Sequence, residues 1–282
     1  MQRRLRLIGT WGAILTLAIL LASALLRLAT GIEAGEAHSL LPPAVEIGAR
    51  IAHRLSAMGI AILAALALVA TLRNPPAPAS RVTAVAAIMA LTLTLALIGR
   101  YTPGYRVTAV TVINVTGGTA LACAFWWLRE IAMTPATGPG RGLPIVPALA
   151  LILLLAQSAL GAAASAAAMW GAPASMPLHP GAAILFLIVA VAASWRRRER
   201  RAPALAIAAL AALQLGLGAY LGWTDARPLA FTLAHAAIAS LFALPLVSLA
   251  AGTAGRVTRH MPRAAPACNS DPDQAARAPV SK

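Results

Sequence analysis

The sequence predicts an all-α integral membrane protein: eight transmembrane helices arranged as two pseudo-twofold-related four-helix bundles. Three observations lead there. The chain has 282 residues, is 60% hydrophobic with a mean hydropathy of +0.78, and carries only 11% charged residues, against roughly 25% in soluble domains. Eight stretches are long enough to cross a bilayer, which takes about 20 mostly apolar residues. A motif in the second half of the chain recurs, in fainter form, in the first.

The spans fall at 7–29, 51–72, 82–99, 107–128, 143–168, 177–195, 203–222 and 228–252. None alternates with period 2, so the runs read as helices and not as strands of a barrel. The first, "MQRRLRLIGTWGAILTLAILLASALL", has the basic start and the "ASA" of a signal peptide. Its apolar run exceeds the roughly 7–15 residues of a signal-peptide core, so it is read as a retained anchor. The second span carries His53, the fourth Asn114 and Cys123, the sixth His179 and the eighth His235. The expected organisation is an N-terminal half over 1–130, a cytoplasmic linker over 131–142, a C-terminal half over 143–252, and a disordered cytoplasmic tail over 253–282, whose Pro, Ala and charge content is that of a solvated segment.

The formal net charge of +15 could suggest nucleic acid, but the placement of the charges matters more than their sum. With a cytoplasmic N-terminus, 17 of the 23 Lys and Arg residues fall inside, among them Arg3, Arg4, Arg6 and the run "RRRERR" from Arg196 to Arg201. Six fall outside: Arg27, Arg50, Arg54, Arg100, Arg106 and Arg227. That asymmetry follows the positive-inside rule, puts both termini in the cytoplasm and makes nucleic-acid binding an unnecessary reading. Cys123 and Cys268, one in a span and one in the tail, suggest neither a disulfide framework nor a thiolate metal site.

The repeat is built on glutamine, glycine and histidine. "QSALG" (Gln157 to Gly161) precedes His179 by 18 residues counted from the glycine, and "QLGLG" (Gln214 to Gly218) precedes His235 by 17. In the first half, "SALLRLATG" precedes the span with His53 and "LALIGRYTPG" the span with Asn114. An even number of spans per copy gives both halves the same orientation, a parallel repeat about an axis along the membrane normal. His53, Asn114, His179 and His235 then share one layer toward the outer third of the membrane.

Two neutral imidazoles on facing helices at matching depth can hold a heme iron from both faces, with small residues such as those in "LHPGAAILFL" and "AHAAIAS" making room. The plainer alternative is that each histidine donates to a carbonyl of a neighbouring helix, and small residues also let helices approach without any cofactor. An intramembrane ionisable group is costly and by default functional. A metal without porphyrin lacks further ligands, since the carboxylate nearest the layer is Glu46, seven residues before His53 on the same helical face. Some of the six outer arginines, Arg54 foremost, are candidates to pair with heme propionates. Interfacial snorkelling is the alternative for any one of them.

These residues give the chain a likeness. "ALLRLATG", "AHRLSAMG" (Ala52 to Gly59), the two Q-x-x-x-G stretches, "LHPGAAILF" and "LAHAAIASLFA" together resemble the heme A synthase family of cytochrome oxidase assembly proteins across essentially all eight spans. The resemblance implies a heme b held by His179 and His235 in the second half. In the first half it implies that heme O is taken at His53 and its methyl group oxidised to the formyl of heme A, an oxidoreductase activity. Implied partners are heme O synthase or terminal oxidase subunits, besides heme and the lipid bilayer, and the implied setting is the bacterial cytoplasmic (inner) membrane. The chain departs from the family where a catalytic glutamate would stand three residues before His53, which here is Arg50, and where a second N-terminal histidine is replaced by Asn114. The first outer loop also lacks a cysteine pair, its His38 being read as a loop residue. His53 and Glu46 remain the candidates for catalysis. The departures keep open a non-catalytic heme-binding assembly or electron-transfer protein that has lost the first-half site.

Overall fold

In lipid, a backbone amide has no water to turn to, so each apolar stretch must satisfy its own hydrogen bonds, and this chain does so with helices. A computed structural model of the protein describes residues 1–33, 36–101, 108–133, 145–169, 178–196, 200–224 and 228–251. Within them run α1 (Gln2–Leu28), α2 (Pro43–Leu72), α3 (Ala79–Tyr101), α4 (Thr108–Met133), α5 (Ile145–Met169), α6 (Leu178–Arg196), α7 (Arg201–Trp223), α8 (Leu229–Leu241) and α9 (Ala243–Ala251). Counting α8 and α9 as one span, eight of these are long and apolar enough to cross a membrane, and the chain is a multi-pass membrane protein. The expected tail and most of the expected linker lie outside the described residues.

The surface agrees. Ile184, Leu185, Ile188 and Val191 of α6 are exposed, as are Ile51, Leu55, Met58 and Ile62 of α2. Apolar faces of this extent are a liability in water and ordinary in lipid. Inside, helices meet through alanine: Ala64, Ala67, Ala122, Ala150, Ala190 and Ala193 are almost wholly buried, as expected where close backbone approach rather than hydrophobic exclusion holds helices together. The tightest seam is α1 on α4. A Cβ at Gly9 or Gly12 would collide with Phe125, whose ring is fully buried.

Three features depart from the sequence expectation. First, α2 begins at Pro43, well before the apolar run at 51. Proline is suited to the first helical turn because its missing N–H would have no partner there, and Glu46 adds a carboxylate to the positive end of the helix. Second, the eighth span is broken at Phe242. Pro245 cannot donate to the Leu241 carbonyl and its ring crowds it, so the helix restarts, with the Leu246 amide returning to Phe242 at 3.2 Å. Third, within an otherwise all-helical fold, β1 (Thr30–Glu33) and β2 (Glu36–Ser39) pair antiparallel between α1 and α2, setting His38 opposite Gly31.

The helices neighbour one another in two rounds. In the first, α1 packs on α2 and α4, and α3 on α2 and α4; in the second, α5 packs on α6 and α9, and α7 on α6, α8 and α9. The rounds meet where α4 lies against α5 and α9 and where α1 lies against α8. One polar cluster closes the seam between α4 and α9. The indole N–H of Trp126 donates to Ser248 (2.8 Å), the Ser248 hydroxyl donates to the Glu130 carboxylate (2.9 Å), and Arg129 pairs with the same carboxylate. Arg200, just before α7, adds a bond to the Ser248 carbonyl (2.6 Å). Glu130 is only 6% exposed, and this sharing is what makes a buried carboxylate tolerable.

Candidate functional site

On a helix, residues three and four apart share a face. In α5 that rule puts Leu154, Gln157, Ser158, Gly161, Ala162 and Ser165 on a single stripe, and the whole stripe borders one cavity. The Gln157 amide donates to Nδ1 of His179 at 2.9 Å. One turn on, Gly161 leaves room for the ring: a Cβ there would stand 3.1 Å from Cε1 of His179. The spacing of glutamine and glycine therefore has a physical reason. The first holds the imidazole of the following helix and the second makes space for it.

The arrangement repeats between α7 and α8. The Gln214 amide donates to Nε2 of His235 at 3.0 Å, and a Cβ on Gly218 would lie 3.5 Å from Cε1 of that ring. His179 and His235 line the same cavity.

The cavity measures about 360 Å³, within the usual range for small-molecule and cofactor sites. Its walls are mostly apolar, with Phe186 and Phe242 meeting edge to face at 5.0 Å on one side. Phe242 is the residue at which the eighth span breaks, so the Pro245 kink also shapes this wall. The cavity is not confined to the second half. A stripe of α1 running from Leu17 to Arg27 closes it, and Val115 of α4 contributes. Arg27, the buried arginine at the end of that stripe, donates from Nε to Ser165 at 3.3 Å.

The first-half candidates lie elsewhere. None of His53, Arg54 and Asn114 lines this cavity. His53 is half-buried in α2 against the backbone carbonyl of Ile19 in α1, while its Nδ1 is buried without a hydrogen-bond partner. Arg54, the foremost of the six candidates, is exposed, and among the described residues the arginine that reaches the histidine cavity is Arg27. The Glu46 carboxylate pairs with Arg50 one turn along the same helix at 2.6 Å. Arg106 and Arg227 lie outside the described residues.

Sequence reasoning quoted both glutamines but gave them no task; the four-residue step from glutamine to glycine was the signal that could have assigned one. For the α1 wall the sequence held no comparable sign.

Buried polar atoms are left over beside both rings. His235 Nδ1, Gln157 Oε1 and Gln214 Oε1 are buried without hydrogen-bond partners, which marks a site not yet satisfied by the protein alone. A carboxamide offers a donor and an acceptor, so each glutamine can serve either imidazole tautomer. Among the described residues, no three His, Cys, Asp or Glu side chains come together, so the pair falls short of the ligand set of a zinc site. Comparison with protein-family models and with curated proteins finds no match for the chain.

Proposed function

We propose that this protein is a heme-binding membrane protein resembling heme A synthases, in which His179 and His235 hold a heme b. The observation that carries the reading is the matched pair of imidazoles, each hydrogen-bonded to a glutamine and seated on a glycine, bordering one mostly apolar cavity. A heme ligated on both faces supplies one-electron transfer. The protein's part is to orient the rings through Gln157 and Gln214, whose carboxamides, turned so that the oxygen accepts from a ring N–H, would also raise the basicity of the ligands, and to exclude water with Phe186, Phe242 and the alanines of the walls.

The two rounds of helix contacts support a pseudo-twofold relation between halves. Exchanging α1, α2, α3 and α4 for α5, α6, α7 and the α8–α9 span leaves the set of principal neighbour pairs unchanged, including the crossed pairs α4–α5 and α1–α8. The distribution of Lys and Arg supports cytoplasmic termini in a bacterial cytoplasmic membrane.

Two roles follow from such a site. The narrower is an electron-transfer or cytochrome oxidase assembly protein carrying heme b. The fuller is heme A synthesis, in which heme O is the substrate taken near His53 and its methyl group is oxidised to a formyl. Three observations favour the narrower role: His53 faces the Ile19 carbonyl, Glu46 is engaged by Arg50, and Asn114 stands where a second ligand is expected. Purification with the native pigment followed by heme extraction decides between them. Heme b alone supports the narrower role, heme O with heme A supports synthesis, and a colourless protein that takes up no added heme overturns both.

A further inference from the structure

Between α6 and α7 runs a second cavity, an open groove of about 570 Å³ on the outside of the bundle. Leu187 and Ala211, both buried, form its floor, and the exposed side chains of Ile188, Val191 and Leu215 form its rims. At one end stand Trp195 and Arg196, both exposed; among the described residues that line the groove, Arg196 alone is charged. From Arg196 back to Leu187 the groove follows α6 for roughly 13 Å of helical rise, most of the depth of one leaflet.

The two ends of the groove differ in the way a phospholipid does. Tryptophan favours the membrane–water interface, so Trp195 sets the mouth at headgroup level. Arg196 opens the run "RRRERR", five arginines against one glutamate, and basic clusters beside a transmembrane helix attract anionic headgroups. Below the mouth the walls are apolar and suit an acyl chain. Another transmembrane helix fits less well, because helices close on one another through small residues and these rims are large side chains. It would also have to bring acidic groups to the arginines.

We propose that the groove binds an anionic phospholipid, with one acyl chain lying between α6 and α7 and the phosphate held at Arg196. Leu187 borders both this groove and the histidine cavity, so the chain also backs one of that cavity's walls. The inference stands apart from the heme reading and holds whatever occupies the histidine cavity.

The test uses full-length protein in phosphatidylcholine vesicles, titrated with phosphatidylglycerol or phosphatidylcholine carrying the same brominated acyl chains, which quench tryptophan on contact. The Trp195 signal is the difference between wild type and Trp195→Phe, each measured against unbrominated lipid. Brominated phosphatidylglycerol is expected to quench Trp195 at a mole fraction at least about fivefold lower than brominated phosphatidylcholine, the scale of one arginine beside an anionic headgroup. Arg196→Gln should bring the two lipids within about twofold of each other. Val191→Phe, which fills the groove and keeps every charge, should do the same. Equal quenching in the wild type, or a preference that survives Arg196→Gln, overturns recognition of the headgroup at Arg196. A preference that survives Val191→Phe means that surface charge alone gathers the lipid, and overturns the groove as its seat. Absence of quenching by either lipid means that a helix of another chain covers the groove, and overturns the proposal outright.

Discussion

In the second half, each span histidine meets a glutamine side chain across a glycine; in the first half, His53 meets the backbone carbonyl of Ile19. Both settings give an imidazole a partner, but they differ in what remains possible. A side-chain amide can rotate and serve a ring whose other nitrogen is engaged elsewhere. A helix carbonyl is fixed in place and can only accept. Large side chains fill the core between α1, α2, α3 and α4, with Leu5, Ile60, Ile88, Phe125 and Leu128 almost wholly buried. The core between α5, α6, α7 and α9 is packed as fully, with Leu154, Phe186, Ile207, Phe242 and Leu246 almost wholly buried, and it borders the cavity. The described contrast between the halves therefore lies in the polar partners of the histidines and in the cavity that His179 and His235 border.

Substitutions can break or sharpen this contrast. The largest effect is expected at the proposed heme ligands: His179→Ala or His235→Ala should lower heme occupancy by more than about tenfold and abolish the bis-histidine spectrum, whereas His53→Ala should leave that spectrum unchanged. Equal losses at all three positions would mean that the halves are not distinct. Next come the amides. Gln157→Ala or Gln214→Ala should cost about 10–100-fold in heme affinity, the usual scale for an outer partner of a ligating histidine, as read by pigment titration.

The glycines test the asymmetry within the second half. At Gly161 an added methyl presses on His179 at 3.1 Å, and Gly161→Ala should weaken heme binding by about tenfold, within the usual range for overpacking. At Gly218 the corresponding distance of 3.5 Å is an ordinary contact, so Gly218→Ala should change affinity by less than about twofold and gain up to about 1 kcal/mol of helix propensity. At the far end of the helices, Glu130→Ala should destabilise the fold by about 1–3 kcal/mol in thermal unfolding without touching the heme spectrum, because it strips a partner from Ser248 and Arg129. The smallest effect is expected at Glu46→Gln, less than about 0.5 kcal/mol, since the pair with Arg50 is a partly exposed one between helical neighbours.

Much of the fold was legible because lipid simplifies the code. Length and apolarity alone located every span, and the histidine positions followed from motif spacing. Boundaries were less legible. Apolarity marks where hydrocarbon begins, while the helix of α2 continues to Pro43, eight residues earlier, through a segment whose backbone bonds hold equally well at the interface. The break at Phe242 was visible in Pro245, yet proline is tolerated in membrane helices often enough that its presence did not demand one. Arg54 was preferred over Arg27 on paper because it stands beside His53. The faces that α1 and α2 turn inward separate them, burying one against Ser165 and leaving the other exposed.

The amino-acid sequence by itself determined that the chain lives in a membrane as eight helices and that two histidines in the second half follow matching glutamine and glycine signals, because burial in lipid and helical periodicity are local properties. Only the tertiary structure decided that these two imidazoles border one cavity, that α1 of the other half walls it, and that Arg27 points there while His53 does not. Those outcomes depend on which faces of neighbouring helices pack together. That is settled by the fit of side chains such as Phe125 against Gly9 and Gly12, a relation between distant parts of the chain that no single stretch records.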